Sequence, residues 1–202
     1  DIQLFQYSVL PDIVLLLMIS GLVTSSISAA REWETRTIKE LLLSPATNFA
    51  IITGKVLSGF TTTFLLGLLV LLLADVLGWT QPEGIYWLST LLIIALVALL
   101  STGLGVALGA ALQHGLPVIA ISVNVAFYLF FLSGGVGVIA FEPQVLQNIA
   151  AYIPLTYGVH ALQQAIFYNS SDQLGLDVLV LGVCALIAVG LGVFSMRRGI
   201  AS

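Results

Sequence analysis

Long uncharged stretches alternate with short charged ones along this chain. Residues 13–30 are uncharged for 18 positions, residues 56–74 for 19 and residues 84–113 for 30. Further uncharged runs extend from Gly115 to Phe141 and from Val178 to Met196. About 20 apolar residues in a helix cross a hydrocarbon core of roughly 30 Å. A backbone in lipid must satisfy its own hydrogen bonds, which favours helices over isolated strands. The pattern predicts an all-α, polytopic membrane protein forming a single transmembrane domain over 1–202, with five transmembrane helices near 12–30, 55–77, 88–112, 116–139 and 175–196. The Gly115–Pro117 stretch beside His114 reads as a tight turn between the third and fourth spans.

Composition removes the soluble alternative. The chain is 59% hydrophobic and only 8% charged, where soluble domains carry about 25% charged residues. The single cysteine, Cys184, lies in an apolar run and suggests neither a disulfide framework nor a metal site. All six bases, Arg31, Arg36, Lys39, Lys55, Arg197 and Arg198, fall on one side of the predicted topology. The positive-inside rule makes that side, and the C-terminus, cytoplasmic. Glu32, Glu34 and Glu40 accompany them, whereas Asp1, Asp12, Asp75, Glu83, Glu142, Asp172 and Asp177 map to the other face. Residue 1 is thereby placed outside, with no basic leader to carry it across. An upstream part with a sixth span is therefore expected, which would put both termini in the cytoplasm.

Residues 140–172 do not read as a polar outer loop. Val145–Ile153 and Leu155–Tyr168 are mostly apolar, split by Pro154 and preceded by Pro143. Each is too short to span the membrane, and this length suits a re-entrant pair at 143–168 or a pair lying flat on the surface. Gly134, Gly135 and Gly137 would permit the turn into it. Candidate chemistry is sparse, because every acid and base sits at a span end or in a loop. Asn124 is the most polar group well inside a span and reads as helix–helix glue. His114 and His160 lie far apart in the topology, so no metal site or acid–base pair is expected. A phosphate-cradling loop is missing, so the chain is not expected to hydrolyse nucleotides, act as an enzyme or hold a cofactor. Gly105 and Gly109, with Ser101 a turn earlier, predict a close helix contact within the subunit.

The segment REWETRTIKELLLSP, residues 31–45, holds six of the chain's sixteen charges. As a helix it places Ile38, Leu41 and Leu42 on one face, and Glu32 with Arg36 forms an i,i+4 pair. Pro45 ends it. Such a helix serves either to lie on the inner membrane surface or to present charges and an apolar edge to a soluble partner.

The order Arg31-Glu32-x-Glu34, Thr37-Ile38, Leu41-Leu42, Ser44-Pro45 and Gly54-Lys55 resembles the cytoplasmic loop of type-2 ATP-binding-cassette (ABC) transporter permeases. A second element, Pro154-Leu155-Thr156-Tyr157 with Ala161-Leu162, is similar to the motif between that family's last two spans. The chain departs from the loop pattern at Arg36, where the family has glycine, and at Lys39, where an acid is common. The resemblance implies the membrane-spanning permease of an ATP-driven exporter for drugs, lipids or glycans in a bacterial or archaeal plasma (inner) membrane. Its implied partners are an ABC-type ATPase subunit, a second permease subunit and the lipid bilayer, with no nucleic acid. Arg31, Glu32, Glu34, Arg36, Thr37, Lys39, Glu40, Leu41, Leu42 and Pro45 would form the ATPase-coupling helix, and Pro154, Leu155, Thr156 and Tyr157 an outer gate. A secondary carrier, a channel or a membrane scaffold remain alternatives.

Overall fold

The computed structural model describes residues 4–35, 48–80, 84, 86–135, 143–168 and 173–201. Five long helices carry the fold: α1 (Leu4–Glu34), α2 (Asn48–Val76), α3 (Tyr86–Leu112), α4 (Gly115–Leu132) and, last in the chain, α7 (Leu174–Ala201). Between α4 and α7 lie two short helices, α5 (Gln144–Ala150) and α6 (Pro154–Gln163), the latter continued by a π-helical turn, Gln164–Tyr168. All five long helices are long and apolar enough to cross a membrane, and there is no strand among the described residues. The protein is an all-α, polytopic membrane protein.

Burial sorts the long helices into inner and outer ones. Over their most apolar windows α1 and α3 are 56% buried, whereas α2, α4 and α7 are only 22–28% buried. α3 runs through the middle, packed on α1 and α7 and also touched by α2, α4 and α6. Leu10, Leu17, Met18 and Leu22 of α1 meet Ile93, Ile94 and Val97 of α3 in the main core, closed by Phe130, Leu155, Leu162 and Leu181. A smaller cluster, Ala29, Ile52, Val56, Val106, Ala110 and Met196, closes the opposite end. The outer helices leave Leu65, Leu69 and Leu73 of α2 and Leu179, Leu186 and Phe194 of α7 bare. That apolar surface is costly in water and suits lipid.

Small residues let α1 and α3 approach. A Cβ on Gly105 would sit 2.8 Å from the Leu22 carbonyl oxygen, and one on Gly109 would collide with the Ser26 carbonyl. Polar glue between helices comes from serine, since Ser26 Oγ and Ser122 Oγ are 2.9 Å apart and join α1 to α4. Asn124 makes no such bond within the chain: it is exposed and donates to the carbonyl of Ala120 in its own helix, 2.8 Å away. The rotation of α4 about its axis turns Ser122 inward and Asn124 outward.

Helix ends differ from the sequence expectation where local signals compete. α1 starts at Leu4 and runs through Pro11, carried by the buried Leu10 and Ile13 on either side. α4 ends at Leu132 rather than near 139. Gly134 takes a left-handed φ of 77°, and Gly135 N donates to Phe130 O at 3.1 Å, closing a Schellman cap. Gly137 lies outside the described residues. The turn from α3 into α4 pivots on Gln113, with φ 58°.

Candidate functional site

One end of the bundle holds the start of the 31–45 segment. Arg31, Glu32 and Glu34 complete the last turn of α1 rather than opening a separate helix. No breaker interrupts the helix there, and Thr35 closes it by donating to the Arg31 carbonyl from both N (2.9 Å) and Oγ1 (2.7 Å). Arg36, Thr37, Lys39, Glu40, Leu41, Leu42 and Pro45 lie outside the described residues. Beyond them the chain re-enters the bundle as α2, whose Lys55 reaches back to α1.

Lys55 Nζ lies 2.5 Å from Glu32 Oε1 and donates to the Ser28 carbonyl at 2.8 Å. A longer contact of 3.4 Å joins Nζ to Ser28 Oγ. The Lys55 and Glu32 side chains are only 10% and 20% exposed, so each depends on the other for its charge partner. The pair bridges the two helices from which the loop leaves and returns. Glu34, though exposed, is also engaged: its Oε1 accepts a hydrogen bond from Gly115 N at 2.9 Å. Gly115 is the first residue of α4, where an unpaired backbone N–H and the helix dipole favour a carboxylate. The acids expected to face a partner thus bind the chain's own α2 and α4. Sequence reasoning singled out Lys55 without finding these partners, because only the fold brings residues 27 positions apart together.

At the opposite end the Pro154-Leu155-Thr156-Tyr157 element joins α5 to α6. Pro154 occupies the first turn of α6, where its missing N–H costs nothing. Leu155 is 1% exposed and enters the core. Thr156 Oγ1 donates to the Ala150 carbonyl at 2.8 Å, and the Tyr157 hydroxyl donates to the Ala151 carbonyl at 2.9 Å. Two side chains therefore bind carbonyls at the C-terminus of α5, where Ala150 O also accepts from Ile153 N at 3.0 Å. The motif makes a fixed elbow.

A cavity of about 530 Å³ opens beside this elbow, lined by Gln147, Tyr157, His160, Gln173, Leu176 and Asp177 among others. His160 Nδ1 and Asp177 Oδ2 are 2.6 Å apart, and Gln164 Nε2 lies 3.3 Å from His160 Nε2. This corrects the expectation that no acid–base pair forms: α6 and α7 pack together and bring the two residues into contact. Among the described residues no group of three or more His, Cys, Asp or Glu side chains could hold a metal ion.

Residues 2–194 match the family described as ABC-2 family transporter protein. Over 200 residues the chain is 28% identical to the "Probable multidrug ABC transporter permease YbhS" of Escherichia coli K12, covering 96% of this chain and 52% of that protein. Over 179 residues it is 31% identical to the "Inner membrane transport permease YhhJ" of the same organism, covering 87% of this chain and 46% of that one. The chain thus spans about half the length of the relatives it matches.

Proposed function

The chain belongs to the ABC-2 family of transporter proteins, and from that premise we propose that it is the membrane-spanning permease of an ATP-driven exporter powered by a separate ATPase subunit. The bases Arg31, Lys55, Arg197 and Arg198 gather where Met196 packs with Ala29, Ile52 and Val56, and the positive-inside rule makes that end cytoplasmic. Residues 36–45 would then meet the ATPase, with Arg36, Thr37, Lys39, Glu40, Leu41, Leu42 and Pro45 as the contact. Cargo of the drug, lipid or glycan type, an inner-membrane location and a second permease subunit belong to the same proposal.

The observation that carries it is the clamp at the loop's neck. A push on a floppy loop would be absorbed locally. Here Glu32–Lys55 ties α1 to α2, and Glu34 ties the same turn to the start of α4. Displacement of the loop therefore reaches three spans at once, two of which lead to the far end where the α5–α6 elbow would act as an outer gate. A secondary carrier would be expected to hold ionisable groups near the membrane midplane, whereas Asp177 sits in the first turn of α7.

The test is a charge swap in the complex with its ATPase, reconstituted in vesicles. Lys55→Glu and Glu32→Lys should each cut ATP-dependent transport at least several-fold by leaving a partly buried charge unpaired. The double swap should recover a substantial part of it. Full transport in both single variants would remove the clamp from the mechanism.

A further inference from the structure

We propose that the cavity between α5, α6 and α7 binds an organic cation, with the Asp177 carboxylate as its counter-charge and a proton on His160 as its competitor. The Asp177 side chain is only 6% exposed, yet it lines an opening of about 530 Å³, within the usual range for small-molecule sites. A carboxylate so buried needs a compensating charge. The dipole of α7 favours it at the first turn but supplies no full charge. The described bases are remote: Arg197, on the same helix, is about 30 Å further along it. Arg31 and Lys55 belong to that same distant end, where Met196 packs against Ala29 and Ile52.

The remaining partner is His160, whose charge is not fixed. With Gln164 Nε2 facing the ring, Gln164 donates to His160 Nε2 and the neutral ring donates from Nδ1 to Asp177. The cluster then carries one net negative charge. In that arrangement Gln164 Oε1 is buried and has no partner among the described residues. A half-turn of the amide lets this oxygen accept from Nε2–H of the protonated ring, and the cluster becomes neutral. Both states find hydrogen bonds, and only the first attracts a cation.

The walls suit an organic cation rather than a bare metal ion. Leu176, Ala150 and Ala151 are apolar, and Gln147 and Gln173 contribute amides. The ring of Tyr157, held by its hydroxyl on the Ala151 carbonyl, offers an aromatic surface to positive charge. Other titratable groups on the packed elements are few. Tyr157 lines the cavity itself, α3 carries only Tyr86 at its start, and α5 carries none. Asp12 of α1 faces a separate cavity against Leu66.

The experiment measures saturable binding of tetraphenylphosphonium to the purified full-length protein in detergent, against empty micelles. No ATPase or nucleotide is present, so the result is independent of the proposed transport coupling. Binding is expected at pH 8 and should weaken about tenfold or more by pH 5. Asp177→Asn should abolish it, and His160→Gln should remove its pH dependence. Should Asp177→Asn fail to fold, the wild-type pH profile still decides. Undetectable saturable binding, a flat wild-type profile, or binding retained in folded Asp177→Asn would each overturn the proposal.

Discussion

Glu34 shows how little of the charge in this chain is spare. Its carboxylate sits on the first backbone N–H of α4, a position where a negative charge stabilises the helix by roughly 0.3–1 kcal/mol. Glu34→Gln keeps an acceptor and removes the charge. It should lower unfolding stability in detergent by about 0.5 kcal/mol at low salt, with the difference shrinking as salt is added. A salt-independent loss would mean that shape at the hydrogen bond, rather than charge, matters there. Lys55 differs in kind, because its partner Glu32 is mostly covered and neither charge is readily screened. Three charged residues in one short stretch thus do three different things. Arg31 is exposed on the last turn, Glu32 bridges to α2, and Glu34 caps α4.

At the scale of elements, the close crossing of α1 and α3 organises the inner bundle. Gly109→Leu would drive a side chain into the Ser26 carbonyl and Ala29, which are backbone and a neighbouring helix and cannot swing away. The helices would have to separate, breaking the Ser26–Ser122 bond as well. The variant should fail to elute as a single folded species in size-exclusion chromatography, whereas Gly190→Ala, on the open side of α7, should elute normally. Gly105 and Gly109 were legible because close helix contact in lipid has one strong signature, small residues four apart. The spans were legible because length and lack of charge suffice. Rotation was not, since a helix such as α4 is apolar nearly all round and its sequence does not say which side faces inward. Within the chain it is therefore Ser122, not Asn124, that bonds to a neighbouring helix. His160 and Asp177 were invisible as a pair because they belong to different helices, 17 residues apart. α1 begins at Leu4, ahead of the span expected near 12–30, because the helix continues through Pro11.

At the scale of the whole molecule, one outward face does not look like lipid contact alone. α4 is the shortest long helix, 18 residues, and barely spans a bilayer core. It turns outward Asn124 and, one turn on, Tyr128, which is 68% exposed, followed by Phe131 at 60%. The exposed large hydrophobic side chains of α2 are leucines and Val76, and those of α7 are aliphatic apart from Phe194. An amide facing hydrocarbon can satisfy only part of its hydrogen-bonding capacity, and Asn124 meets one acceptor within its own helix. A second permease subunit related by a two-fold axis would bring two such amides together across α4, each donating its other N–H to the opposite helix. Interhelical hydrogen bonds of this kind contribute about 0.6 to 2 kcal/mol in membranes. Asn124→Leu, which keeps volume and apolar contact, should therefore weaken self-association by roughly threefold to thirtyfold. Single-molecule photobleaching in lipid bilayers over a range of protein densities would measure it. Asn124→Gln, able to make the same bonds, should stay within about threefold of the parent. If leucine leaves the monomer–dimer equilibrium where it was, α4 does not supply the subunit interface and the amide is left with a water-filled path as its neighbour.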